Sequence, residues 1–137
     1  MKRIFIDTNI IIDLLVQREG FLSSAKVLAL ARQEGIKLFV SVLTMANVAY
    51  ILRKVLVGEA LYIELAKLSN MLNVVDLTTE HFKSAIALRA KDFEDALQYY
   101  CALTKRCDII VTRNKKDFTF STIDVMSPEE LIQQIGA

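Results

Sequence analysis

Two aspartates stand directly behind apolar segments near opposite ends of the chain. Asp7 ends the apolar run 3–6, and Asp117 follows the β-branched run 109–112 by a few residues. Short apolar runs bounded by helical stretches are typical of buried parallel strands. Because chemistry in open parallel sheets collects at the carboxyl ends of the strands, both aspartates are predicted to lie on one rim of a sheet.

A further pair of acidic residues opens a helical stretch between these two segments. Asp92 and Asp95 are three residues apart at its start, so they share one face of the helix. Acids at this position can instead serve only to complement the helix macrodipole, and Glu94 is assigned to that role alone. Together with the two rim aspartates, Asp95 indicates an acidic site built from separate segments.

Such a site favours a divalent cation, since clustered carboxylates repel one another unless a cation neutralises them. Oxygen ligands from Asp7, Asp95 and Asp117, with Asn114 beside them, suit Mg²⁺ or Mn²⁺. His81 is the only histidine and no Cys-x-x-Cys pair exists, which argues against zinc and against a histidine-dependent triad. A bound divalent cation can activate water and stabilise displacement at phosphorus, so the predicted reaction is hydrolysis of a phosphodiester bond.

The elements that must position these residues alternate between strand and helix patterns. Strands are predicted at 3–6, 37–41, 73–76, 109–112 and 123–126. Helices are predicted at 10–15, 22–33 with Gly35 as its C-cap, 42–55, 59–70, 79–89, 93–105 and from Pro128 onward. This alternation predicts a single α/β domain over residues 1–137, a three-layer α/β/α sandwich with a mostly parallel sheet of about five strands.

Composition sets wider bounds on the protein. The formal net charge is +1, so any affinity for nucleic acid must come from a local patch. The apolar fraction of 53% indicates either an interface, most simply a homodimer or a docked partner, or a leucine-rich core. Cys101 and Cys107 are expected to be reduced thiols of a cytoplasmic protein, and no stretch is predicted to enter a membrane.

Four segments, in order along the chain, resemble the motifs of the PIN-domain ribonucleases, and within them the bacterial VapC-type toxins. They are Ile6-Asp7-Thr8-Asn9, Ser41-Val42-Leu43-Thr44 leading to position 47, Asp92-Phe93-Glu94-Asp95-Ala96, and Thr112-Arg113-Asn114-Lys115-Lys116-Asp117-Phe118. The resemblance implies a PIN-like fold and a Mg²⁺- or Mn²⁺-dependent endoribonuclease that cleaves RNA. It also implies the toxin of a toxin–antitoxin pair, whose partner would be an antitoxin protein.

The resemblance further implies a role for each matching residue. The first acid of the family matches Asp7 and the third matches Asp95, while the fourth acidic position falls at Asn114, with Asp117 nearby. The implied metal ligands are therefore Asp7, Asp95 and Asp117, and Asn47 and Asn114 complete the catalytic set. Auxiliary roles are implied for Thr8 and Asn9, which would orient Asp7, for Thr112, which would hold the neighbouring loop, and for Asp92 as an outer-sphere helper.

One position departs from the family pattern, because Asn47 stands where a glutamate is usual. An asparagine oxygen can still accept a hydrogen bond, but one negative charge that would attract a cation is lost. Two hypotheses therefore stay open: an active nuclease, and a PIN-like module that binds RNA or protein and cleaves poorly or not at all. A phosphotransferase fits less well, since Asn9 stands where an aspartate-nucleophile phosphatase needs its second acid.

The remaining polar residues near these motifs have two readings each. Arg113, Lys115 and Lys116 either contact substrate phosphates or belong to a solvated loop, and Arg113 and Lys116 are the predicted substrate contacts. Asp13 either borders the site or is a solvated or helix-capping group, and the second is expected. His81 is expected on a helix surface.

Overall fold

The computed structural model describes residues 2–136, which form five strands and seven α-helices. The strands are β1 (Lys2–Ile6), β2 (Ile36–Ser41), β3 (Asn73–Val75), β4 (Ile109–Val111) and β5 (Asp124–Met126). The helices are α1 (Thr8–Val16), α2 (Phe21–Ala29), α3 (Val42–Leu52), α4 (Glu59–Met71), α5 (Thr79–Leu88), α6 (Phe93–Thr104) and α7 (Pro128–Ile135). Short 3₁₀ helices span Leu30–Arg32 and Lys115–Phe118. Every predicted element is present, with its ends displaced by a few residues.

The strands form one sheet in the order β3-β2-β1-β4-β5, and each neighbouring pair is parallel. The chain moves outward from β1 through β2 to β3, then returns to the other side of β1 for β4 and β5. The order therefore reverses between β1 and β4, where the crevice at the carboxyl ends of the strands is the usual ligand position. The predicted three-layer α/β/α architecture with a parallel sheet is confirmed.

The central strand β1 is buried on both faces, which explains its unbroken apolar character. Ile4 and Ile6 pack into a core with residues of α1, α2, α3 and α7. Phe5 points the other way and packs with Tyr99 and Ala102 of α6. Successive side chains of a strand point to opposite faces, so one short run supplies both cores.

Helix α2 ends earlier than predicted. Its last α-helical residue is Ala29 and not Gln33, because the chain continues as the 3₁₀ helix Leu30–Arg32. Gly35, predicted as the helix C-cap, lies instead in the turn before β2 with a φ of +86°. Its carbonyl accepts a hydrogen bond from the backbone N–H of Lys2 at 2.8 Å, which fixes the start of β1.

Two polar residues expected at the surface are buried, and both predictions were wrong. Asp13 pairs with Arg113 and is treated with the site below. His81 caps α5: its Nδ1 accepts from the N–H of Thr78 at 3.0 Å, while Nε2 lies 2.7 Å from Oγ1 of Thr104 on α6. Burial lowers the pKa of His81, so the neutral ring joins the two helices.

Two predictions from composition concern the membrane and the thiols. No helix within residues 2–136 is both long enough and apolar enough to span a bilayer. Cys101 and Cys107 are buried and unpaired, and burial raises the pKa of their thiols to about 11 and about 12.

Candidate active site

The adjacent strands β2, β1 and β4 end side by side, and a polar residue stands at or directly after the end of each. Asp7 follows β1, Ser41 ends β2, and Thr112 follows β4. Asp7 and Ser41 are the N-caps of α1 and α3, so both strand-to-helix junctions are tight turns. The N–H of Asp7 donates to the carbonyl of Val111 at 3.0 Å, which extends the β1–β4 pairing to the rim.

Asp7 is a buried carboxylate held by neutral donors. Only 5% of it is exposed; Oδ2 accepts from the Thr112 hydroxyl at 2.9 Å, and Oδ1 accepts from the N–H of Thr8 at 2.8 Å. Thr112 Oγ1 also accepts from the N–H of Asn114 at 3.1 Å, so one hydroxyl joins Asp7 to the loop after β4. Burial raises the pKa of Asp7, and the charges of Glu94 and Asp92 add to that rise, while the bonds from Thr112 and Thr8 oppose it.

A pocket of about 480 Å³ opens above Asp7. The structure brings together all five predicted catalytic residues and three of the four auxiliary ones in its wall. The lining consists of Asp7, Thr8, Asn9, Ile12, Asn47, Tyr50, Ile51, Asp92, Glu94, Asp95, Asn114 and Asp117. Thr112 lies beneath this wall through its bond to Asp7.

Asp95 is the second carboxylate of the pocket whose pKa is raised. It lies in the first turn of α6, where Asp92 is the N-cap and accepts from the N–H of Asp95 at 2.9 Å. Burial, followed by the negative charges of Asp7, Asp92, Asp117 and Glu94, raises the pKa of Asp95 to about 7. The pocket is therefore acidic and short of positive charge.

Two of the three basic residues in the loop after β4 pair with carboxylates outside the pocket. Arg113 does not line the pocket: its Nε lies 3.0 Å from Asp13 Oδ2, and one terminal nitrogen lies 2.8 Å from Glu129 Oε2. Lys115 pairs with Glu130 at 2.8 Å. Lys116 is exposed and forms no salt bridge within residues 2–136. Of the two predicted substrate contacts, only Lys116 keeps its charge available.

Sequence reasoning gave no role to a buried polar network under the pocket. The hydroxyls of Thr8 and Thr44 lie 2.7 Å apart, and Gln98 Nε2 donates to them at 3.2 Å and 3.0 Å respectively. The network joins α1, α3 and α6, the helices that carry Asp7, Asn47 and Asp95. Its sequence signal was the spacing of Gln98, three residues after Asp95 and hence on the same helix face.

Glu94, predicted to serve the helix dipole alone, also has a place in the pocket wall. It lies in the first turn of α6, as expected. Asn47 Nδ2 donates to Glu94 Oε1 at 3.3 Å, across from α3 to α6.

The chemistry of the lining fits a hard divalent cation. Carboxylate and amide oxygens from four segments converge on one pocket, and these are the donors that Mg²⁺ and Mn²⁺ prefer. A cation would also relieve the repulsion that raises the pKa of Asp95. Within residues 2–136, however, no three Asp, Glu, His or Cys side chains stand close enough to form a ready-made metal cluster. The pocket therefore matches a divalent cation in the type and charge of its donor atoms, but not in a preformed arrangement of three ligands.

The fold and pocket define a parallel α/β domain with an acidic, oxygen-lined site at the carboxyl edge of its sheet. The chain belongs to the PIN domain family, since the family model described as PIN domain matches residues 3–116. The resemblance recognised in the four sequence motifs is confirmed.

Individual relatives agree with this assignment. The chain is 27% identical to Ribonuclease VapC1 of Aquifex aeolicus, over 97% of this chain and 95% of that protein. VapBC-1 from nontypeable Haemophilus influenzae shares the fold with a TM-score of 0.71 at 18% identity, covering 93% of this chain and 98% of that one. A toxin–antitoxin complex from Klebsiella pneumoniae gives a TM-score of 0.67 at 24% identity, with 90% and 96% covered.

Proposed function

We propose that this protein is a metal-dependent endoribonuclease that hydrolyses RNA phosphodiester bonds in the cytoplasm, and that it is the toxin of a toxin–antitoxin pair. Membership of the PIN domain family and the activity named for the Aquifex relative support the reaction class. The observation that carries the proposal is the acidic pocket itself. Its carboxylates share one cavity, and their mutual repulsion together with burial raises the pKa of Asp95 to about 7.

The acidic and amide residues predicted to be catalytic take specific roles in this proposal. Asp7, Asp95 and Asp117 would hold Mg²⁺ or Mn²⁺, and Asn47 and Asn114 would complete the polar lining. A bound divalent ion would activate water and stabilise negative charge at phosphorus. Thr112 and Thr8 keep the Asp7 carboxylate in one orientation, so that Asp7 itself would not need to reorganise when a cation arrives.

The RNA backbone needs a positive contact beside this acidic pocket. Lys116 is next to Asp117 in the chain, is exposed, and pairs with no carboxylate in the part of the chain that the structure describes. Arg113 is committed to Asp13 and Glu129. We therefore assign the substrate-phosphate contact to Lys116 and a structural role to Arg113.

RNA cleavage by the wild type and by Asp95→Asn tests the proposal. Cleavage of a single-stranded or hairpin RNA should require Mg²⁺ or Mn²⁺ and stop with EDTA. Asp95→Asn should lower the rate roughly a hundredfold or more, since a metal ligand contributes several kcal/mol of charge stabilisation. The substitution removes a repelled carboxylate without changing its shape, so the variant should fold; circular dichroism checks this. Equal rates for the two proteins would exclude Asp95 from the reaction.

A second candidate function is a PIN-like module that binds RNA or protein without cleaving it. Two observations favour it: Asn47 and Asn114 are neutral, and residues 2–136 hold no compact group of three metal-ligating side chains. Such a module would bind RNA equally well in EDTA and would produce no cleavage products with Mn²⁺. Electrophoretic mobility shifts measured beside the cleavage assay separate the two functions.

Exposed apolar side chains support a protein partner. Leu22, Val55, Val57 and Tyr62 are each between 66% and 80% exposed. Apolar side chains left in water are typical of interfaces when they are contiguous. We propose that they contribute to an interface with an antitoxin or with a second copy of the chain. Light scattering of the purified protein, alone and mixed with a candidate antitoxin protein, tests both arrangements.

A further inference from the structure

We propose that Glu94 supplies a fourth carboxylate to the cation site, and that Asn47 is the positioning residue that holds it there. This inference rests on the proposed function, because it concerns the same pocket. In this proposal Glu94 binds the cation in addition to complementing the dipole of α6. Asn47 also gains a specific task in spite of its lack of charge.

The position of Glu94 is set by a contact between two helices. Glu94 lies in the first turn of α6, and Asn47 lies near the middle of α3, 47 residues earlier. The amide Nδ2 of Asn47 donates to Glu94 Oε1 at 3.3 Å. Both residues line the pocket together with Asp7 and Asp95. The hydrogen bond therefore ties the Glu94 carboxylate to the part of the pocket wall formed by α3.

Repulsion by the neighbouring carboxylates favours conformations in which the Glu94 side chain points away from the pocket. Its side chain is long and exposed, and within residues 2–136 no Lys, Arg or His forms a salt bridge with it. Its negative charge acts on both Asp7 and Asp95 and raises the pKa of each. A carboxylate held among other carboxylates raises the free energy of the empty pocket and increases the affinity of that pocket for a cation.

The chain contains a matched control for the helix-dipole effect. Glu80 is the second residue of α5, as Glu94 is the second residue of α6, and both are exposed. Glu80 does not line the pocket. Glu80→Gln and Glu94→Gln should therefore disturb the dipole of their helices equally, and only the second should affect cation binding.

The test is Mn²⁺ binding to the full chain, measured by calorimetry and by the electron paramagnetic resonance signal of free Mn²⁺. Glu94→Gln should weaken the affinity about tenfold, because one negative charge near a divalent ion is lost. Glu80→Gln should leave the affinity unchanged. Asp7→Asn serves as the reference for loss of the site.

The role of Asn47 is tested by a double-mutant cycle. Asn47→Ala should weaken Mn²⁺ binding about threefold in the wild-type background, where it frees Glu94. In the Glu94→Gln background the same change should have a much smaller effect. A purely structural role for Asn47 would give equal effects in both backgrounds and would overturn this part of the inference.

The outcomes separate this inference from the proposed function. If Asp7→Asn weakens Mn²⁺ binding while Glu94→Gln matches Glu80→Gln, the metal site stands and the inference about Glu94 is wrong. If Asp7→Asn binds Mn²⁺ as tightly as the wild type, the metal site of the proposed function is wrong, and the inference falls with it. Weakening by Asp7→Asn and Glu94→Gln, but not by Glu80→Gln, supports both.

Discussion

Asp7 at the N-cap of α1 and Asp13 near the end of that helix are both buried aspartates, yet the protein treats their charges differently. Asp7 is 5% exposed and Asp13 is 4% exposed. Adjacent residues after β4 serve them: the Thr112 hydroxyl donates to Asp7 at 2.9 Å, and Arg113 Nε donates to Asp13 at 3.0 Å. One carboxylate therefore has only neutral donors, while the other has a counter-ion.

The ion pair between Asp13 and Arg113 has a structural role, because it holds several helices together. Arg113 also reaches Glu129 of α7, the carbonyl of Gly20 before α2, and the hydroxyl of Ser24 within α2. A buried charge that is paired with an opposite charge of the same protein does not require a bound ion to neutralise it. Asp7 has no such partner within the described chain, which supports the proposal that a cation binds beside it.

The largest effect should come from Asp7→Asn, with Asp13→Asn as its matched control. We expect the first to lower RNA cleavage roughly a hundredfold or more, because a metal ligand is lost. The second should keep most of the activity at a temperature where it is folded. Initial rates with Mn²⁺ measure both, and a larger loss in Asp13→Asn would reverse the comparison.

The free energy of unfolding should show the opposite order, with a larger loss in Asp13→Asn than in Asp7→Asn. Asp13→Asn leaves Arg113 without its buried counter-ion and should lower the free energy of unfolding by about 3 kcal/mol. Asp7→Asn removes an unneutralised charge and should change the free energy by less than about 1 kcal/mol. Urea unfolding in EDTA provides both values. Equal destabilisation by the two variants would mean that Asp7 is as structural as Asp13.

The metal-free protein should lose stability as the pH rises. Folding raises the pKa of Asp95 from 3.8 to about 7, so between these values the folded state holds a proton that the unfolded state has released. Stability therefore falls across that window and levels off above it. The melting temperature in EDTA should drop by several degrees between pH 5 and pH 8. Asp95→Asn should make this slope shallower, and Asp7, whose pKa is also raised by burial, accounts for part of what remains. A slope unchanged in that variant would assign it to groups other than Asp95.

The smallest effect concerns the donor that orients Asp7. Thr112→Val keeps the shape of the side chain but removes its hydrogen bonds to Asp7 and Asn114. We expect a loss of about 1 kcal/mol in stability and a roughly threefold weaker Mn²⁺ affinity. Thr104→Val, far from the pocket lining, is the control for the substitution itself. Calorimetric titration that showed no difference between the two would remove Thr112 from the site.

Much of the pocket could be predicted from the chain because its residues follow local signals. Asp7 stands behind an apolar strand, and Asp95 stands three residues into a capped helix. Once strands and helices alternate, parallel pairing brings the carboxyl ends of the strands to one edge. The shared location of Asp7, Asn47, Asp95, Asn114 and Asp117 in the pocket wall follows from that rule, while their catalytic roles stay predictions.

Local sequence did not reveal the partners of charged side chains when those partners are distant in the chain. Glu94 matched the helix-dipole pattern, and nothing near it in sequence indicated Asn47. Arg113 looked like a phosphate contact, and its partner Asp13 is 100 residues away. A charged surface residue satisfies several local patterns at once, so only the identity of its neighbour in space separates them.

Local sequence was enough for the elements, the architecture and the family of this protein. Apolar runs, N-caps and strand–helix alternation reflect secondary-structure preferences that depend on only a few neighbouring residues. The tertiary structure decided which charges are paired with a counter-ion and which are not. That choice depends on distances between side chains far apart in the chain, and electrostatic energy at a few ångströms changes steeply with each of them.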